Sequence, residues 1–124
     1  MTTLTEPKNL GDLLKYEAPN QYSRDTGVMA AGQTLALGTV LGRETASGKL
    51  RALTPAATNG SQTAVAVLAR SADADLIDVE ALIVARHAIV ARSALVWPAG
   101  ITAAQRAAAE AGLSALGILI RDSA

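Results

Sequence analysis

His87 is the only histidine in the chain and no cysteine accompanies it, so any imidazole acid/base scheme or metal site would rest on one ring. With Arg86 before it and an apolar run on either side, His87 reads as an exposed turn residue. Asp73, Asp75, Asp78 and Glu80 crowd one short stretch, where paired carboxylates or a calcium loop could be imagined. A calcium loop of the EF-hand kind needs Gly at its sixth position and Glu at its twelfth, and this stretch has neither, so it reads as a solvated acidic turn. Gly42 to Lys49 is similar to a phosphate-binding loop. That loop needs four residues between its glycines and a hydroxyl residue after the lysine. Here five intervene before Gly48 and Leu50 follows Lys49, which leaves a hairpin turn. No Gly-x-Ser-x-Gly nucleophile elbow occurs. These residues assemble no catalytic centre, and neither a cofactor, a metal nor a small-molecule substrate is expected.

The background these residues sit in narrows the function further. Eleven basic and eleven acidic residues give a net charge of zero, and no basic stripe is present to displace counterions from phosphates. A nucleic-acid partner is therefore not expected. The first twenty residues lack the basic head and apolar run of a signal peptide. Arg86, His87 and Arg92 interrupt the longest apolar stretch well short of the ~18 residues that cross a bilayer, so a soluble, unexported chain with no membrane association is expected. The chain's 124 residues are 50% hydrophobic and 18% charged, the composition of one folded domain. Only 2% are aromatic, with no Phe, so the core must be built from Ala, Val, Leu and Ile on closely approaching backbones. A core that modest favours self-association.

The elements that would position any site follow from periodicity and turn residues. Pro7, Gly11 and Pro19 leave no room for regular structure of ordinary length before residue 20, so residues 1–25 read as an extended arm and residues 26–124 as the compact domain. Leu10, Leu13 and Leu14 find nothing local to pack on in such an arm and are expected to bury against another subunit or another protein; a frayed terminus is the alternative. From Val28 to Arg70 the pattern is β. Thr39, Val40 and Leu41 pair through a turn at residues 45–48 with an alternating strand at residues 49–53, and residues 63–69 form a central strand, apolar on both faces. Residues 71–75 read as a turn, and residues 79–85 and 88–92 as two strands. Thr102 and Gln105 make a capping box opening a helix that runs to Leu116, with Gly117 at its C-terminal cap and Ile118 starting a last short strand. Ala104, Ala107, Ala108, Ala111 and Ala115 mark one helix face, expected to lie on the core, with an oligomer interface as the alternative. Trp97 and Pro98 end a strand with a large anchor and a rigid exit, which reads as a packing pivot or an interfacial hot spot. The class is mainly β (α+β): a small, partly open β-barrel or sandwich-like domain with one short C-terminal helix and an extended N-terminal arm.

Three segments occur in order ahead of that alanine-rich helix: Tyr16-Glu17-Ala18-Pro19-Asn20-Gln21-Tyr22-Ser23-Arg24-Asp25, Ala36-Leu37-Gly38-Thr39-Val40-Leu41-Gly42 and Leu95-Val96-Trp97-Pro98-Ala99-Gly100-Ile101-Thr102. Together they resemble the head decoration protein family of lambda-type tailed bacteriophages, over most of the chain from about Leu14 onward. The resemblance implies a structural protein of the virion with no enzyme activity, made in the bacterial cytoplasm. It further implies a homotrimer seated on three-fold and quasi-three-fold positions at the outer surface of an expanded capsid, bound to the major capsid protein and resisting the pressure of packaged DNA. On that basis Leu10, Leu13, Leu14, Tyr16 and Tyr22 are the expected capsid contacts, and Trp97 and Pro98 belong to packing or the trimer interface. The other readings carried forward are a generic oligomeric adaptor and a small trimeric β enzyme acting on nucleotides; the latter needs carboxylate-held magnesium and a phosphate-gripping set that the residues do not supply.

Overall fold

The structure, a computed structural model, describes residues 9–122. Five strands make the main body: β2 (Arg24–Met29), β4 (Val40–Arg43), β5 (Leu50–Ala52), β6 (Ala64–Leu68) and β8 (Val79–Val84), in the spatial order β2-β5-β4-β6-β8. The ring returns on itself, but the β2–β5 seam is closed by a single parallel pair, Met29 with Leu50. The Gln33 side chain bridges this seam. Its Oε1 accepts from the Ala52 amide at 2.9 Å, while its Nε2 donates to the Ala30 carbonyl at 2.9 Å and the Leu50 carbonyl at 3.3 Å. One amide side chain thus stands in for ladder bonds that the single β2–β5 pair does not supply, and the partly open β-barrel expected from the sequence is what the chain forms.

A second sheet of three strands, β1 (Leu14–Glu17), β9 (Ala88–Ala91) and β10 (Ile118–Arg121), has β9 in the middle, antiparallel to β1 and parallel to β10. A two-stranded ribbon pairs β3 (Gln33–Leu35) with β7 (Ala72–Ala74). The alternation of side chains along β4, β6 and β8 divides the core in two. Leu41, Ala66, Leu68 and Ile83 point into the barrel with Met29 and Leu50. Val40, Val67 and Val84 point the other way, onto Val90, Leu113 and Ile118 of the second sheet and helix. β6 is therefore covered on both faces, as its doubly apolar sequence requires. Gly42 lies where β4 crosses the loop before β6: a Cβ there would fall 2.7 Å from Ser61 Cα, so the backbones approach too closely for any side chain.

Helix α2 (Ala103–Ala115) has the capping box read from the sequence: the Gln105 amide donates to Thr102 Oγ1 at 3.0 Å, and Gln105 Oε1 accepts from the Thr102 amide at 3.0 Å. Gly117 ends it at φ +82°, and its amide donates to the Ser114 carbonyl.

Three expectations are corrected. The segment read as an extended arm holds, from Asn9 on, a helical turn α1 (Leu10–Leu13), strand β1 and a 3₁₀ turn (Pro19–Gln21). A reciprocal Asn9–Asp12 capping box nucleates α1, and this turn swings Leu13 inward, where it is fully buried in the chain's own core. Leu13 therefore does have something local to pack on. Residues 71–75 are not simply a turn, since Ala72–Ala74 pairs with β3; polar Asp73 faces out while Ala74 is buried. The alanine face of α2 is also reversed. Only Ala109 and Leu113 of the helix are buried, whereas Ala104, Ala107, Ala108, Ala111 and Ala115 face solvent in the single chain. Ala109 and Leu113 are the helix residues that join the core cluster, so the side of α2 that meets the body is a different one from the alanine face.

Candidate functional site

The residues singled out near the N-terminus come together at one end of the three-stranded sheet. β1 is an edge strand, with β9 on one side only. Leu10, Leu14, Tyr16, Glu17 and Arg24 line a shallow groove along it. Leu10 and Leu14 are half-buried and Tyr16 is 53% exposed. Lys15 and Gly11 also line the groove, the Lys15 Nζ donating to the Gly11 carbonyl at 2.9 Å.

The turn from β1 to β2 is held rigidly. Arg24 and Glu17 make a two-pronged ion pair, with Nε on Oε2 and Nη2 on Oε1, both at 2.7 Å. That hydrogen-bonded guanidinium holds the Glu17 carboxyl below its ordinary pKa and raises that of Arg24 in return. Ser23 is fully buried beneath the turn, its Oγ accepting from the Ala18 amide at 2.8 Å and donating to the His87 carbonyl at 2.7 Å. The turn so fixed carries Asn20 and Gln21 at φ +60° and +58°, and it meets His87 at φ +47°. Three non-glycine residues in the left-handed region at one place are a cost that the surrounding bonds sustain.

Tyr22 is the residue these bonds present. The His87 ring meets it edge-on at 5.4 Å between centroids, and the Arg86 guanidinium lies 5.2 Å over its face. Arg86 also donates from Nη1 to the Tyr22 carbonyl and from Nη2 to Asp25 Oδ2, each at 2.6 Å, and this second bond lowers the Asp25 pKa. Tyr22 nevertheless keeps 53% of its surface exposed. His87 is exposed at its turn and serves as a wall for Tyr22 rather than as a lone base. The partnership of Arg86, His87 and Tyr22 spans more than sixty residues of chain, and no local pattern announces it.

The structure separates Leu13 from the other expected contacts: it is core, and it supports the groove from beneath. Trp97 and Pro98 lie elsewhere, half-buried beside the β4–β5 hairpin, where the Val40 and Val96 amides bond across to the Val96 and Gly38 carbonyls. The Arg106 guanidinium sits 5.9 Å over the Trp97 ring. The acidic stretch is spent on local structure: Asp73 Oδ1 accepts from Thr34 and from the Asp75 amide, while Asp78 accepts from the Ala31 amide at 2.8 Å and pairs with Lys49 at 2.6 Å. Among the described residues no group of three or more His, Cys, Asp or Glu could hold a metal ion, and no helix is long and apolar enough to cross a membrane.

The β1 edge and the exposed rings of Tyr16 and Tyr22 are surface open to a partner, and comparison with known families says to which family such a domain belongs. The family model for the bacteriophage lambda head decoration protein D matches residues 3–118. The chain belongs to that family. A comparison with curated proteins finds no match. As a head decoration protein the chain is a structural component of the phage head, associated with the capsid of the virion. The matched residues include the β1 edge, the Tyr22 turn, Trp97 and Pro98, and all of α2. The segments on which the sequence resemblance rested thus lie inside the span of the family model.

Proposed function

We propose that this decoration protein binds as a homotrimer to three-fold and quasi-three-fold sites on the outer surface of an expanded capsid and stabilises the shell against the internal pressure of packaged DNA. The match to the decoration family over nearly the whole chain carries this reading. The partner is the major capsid protein. The surface offered to it is the N-terminal one: the β1 edge, with Leu10, Leu14, Tyr16 and Tyr22, continued upstream by residues 1–8, which lie outside the described residues. The role is mechanical, without catalysis, and the protein is made in the host cytoplasm before it meets the shell.

The physical mechanism uses two general effects. An edge strand and its upstream segment gain affinity from main-chain hydrogen bonds to an open sheet edge, while side chains such as Tyr16 and Tyr22 select the site. Three such surfaces on one trimer turn the second and third contacts into intramolecular ones, provided that the shell presents three sites at matching spacing. Expansion of the capsid creates that spacing, which is how a weak single contact discriminates expanded from unexpanded shells. A ligand that binds only the assembled lattice stabilises it by mass action, by about 2.7 kcal/mol per site at a hundredfold excess over Kd. The test is the heat-disruption temperature of expanded capsids with and without saturating protein. A rise that follows occupancy supports the proposal; an unchanged temperature at full occupancy overturns the stabilising role.

A further inference from the structure

The most exposed large apolar side chains among the described residues are neighbours. Leu76 is 88% and Ile77 69% exposed, at the tip of the bend between β7 and β8. This tip is pinned on both sides: the Gly32 amide donates to the Ala74 carbonyl at 2.7 Å, and Asp78 is tied to Ala31 and Lys49. A pair of aliphatic side chains held rigidly in water is poised for burial by a partner, since little order remains to be lost on contact.

The same chain carries a matching receptor. Leu35, Val40, Leu53, Val96, Trp97 and Pro98 line an apolar cleft of about 330 Å³. The exposure of Leu76 and Ile77 means that the tip does not fill the cleft of its own chain. Charge separates the two surfaces in the same sense. The tip is flanked by Asp73, Asp75 and Glu80, none of which has an ion pair among the described residues. Beside the cleft stands Arg106, which touches the Trp97 ring and likewise has no acidic partner among the described residues. The positive end of α2 opens nearby, with no acidic residue in its first turn.

We propose that Leu76 and Ile77 of one copy seat in the Trp97 cleft of the next, with the flanking aspartates facing Arg106. Donor and acceptor are different patches, so the contact is head-to-tail and saturates only when the copies close a ring. The inference rests on the trimer reading above and adds to it the interface, with Ile77, Trp97 and Arg106 at its centre. Because Leu76 and Ile77 support nothing in their own chain, replacing them leaves folding intact.

Sedimentation equilibrium of purified wild-type protein and of the Leu76→Asp, Ile77→Asp double variant, each checked for folding by circular dichroism and for capsid binding by co-sedimentation, tests this. The expected result is a wild-type trimer and a folded variant whose self-association is weaker by about a hundredfold or more. Arg106→Glu weakens the trimer as well, and Asp75→Arg added to it restores association. A variant that stays trimeric overturns the tip-in-cleft contact and leaves the decoration reading standing; if that trimer also loses capsid binding, the tip belongs against the shell. A wild-type protein that is monomeric in solution at every concentration overturns the contact as an interface of the free protein, and overturns the trimer reading as well if it occupies capsids in numbers that are not multiples of three; failure of capsid binding by wild-type trimers would strike the decoration reading alone.

Discussion

Leu13 and Tyr16 are three positions apart, yet one is fully buried and the other 53% exposed. The turn of α1 ends between them, so the chain passes from a helical phase that points Leu13 inward to a strand whose outer face bears Tyr16. This places a stability prediction and a binding prediction within four consecutive residues. Leu13→Ala should destabilise the domain by about 2–5 kcal/mol, the range for emptying a buried leucine site, read by chemical denaturation. Tyr16 belongs instead to the proposed capsid contact, so Tyr16→Ala should weaken capsid co-sedimentation and leave the denaturation midpoint nearly unchanged. The Glu17–Arg24 pair adds a pH dependence whose sign is fixed. The folded-state pKa of Glu17 is depressed below its ordinary 4.5, so its stabilisation is complete above that value and is lost as pH falls through the lowered folded value. Glu17→Gln should therefore lower the denaturation midpoint at pH 7 and bring the mutant and wild-type midpoints closer together toward pH 3. An equal gap at both pH values would contradict a charge-dependent bond.

At the scale of elements, the N-terminal segment divides in a way that makes a clean truncation available. Removing residues 1–15 would take Leu13 out of the core and half of β1 off β9. Removing residues 1–8 spares both. The shorter deletion should melt within a few degrees of the full chain and bind expanded capsids more weakly, by at least tenfold; unchanged binding would move the contact to the β1 edge and Tyr22 alone. What was legible in the residues was also element by element. The Thr102–Gln105 box, Gly117 and the doubly apolar β6 are local signals with a physical mechanism, and each stands where it was read. The capping residues Asn9 and Asp12 carry the same kind of signal in a helix of only four residues, too short for periodicity to show. β7 hides its strand behind turn-forming aspartates, and alanine on α2 is silent because it is equally at home buried or exposed. Tyr22 was read as a contact, but its cage of Arg86 and His87 depends on a long-range meeting of two turns.

For the molecule as a whole, the barrel and the second sheet have one job in common: each leaves a surface that the single chain does not use. The sheet leaves the β1 edge, and the barrel side leaves the Trp97 cleft and the Leu76–Ile77 tip. In the proposed function one of these surfaces closes a ring and the other grips a lattice, and neither task asks for a histidine or a cysteine, of which the sequence has one and none. The direct measurement of this account is co-sedimentation of the purified protein with expanded, undecorated capsids of its phage, in parallel with unexpanded shells. The expected result is saturable binding to expanded capsids alone, at three copies for each three-fold and quasi-three-fold position. No binding to expanded capsids, or equal binding to both forms, would contradict it.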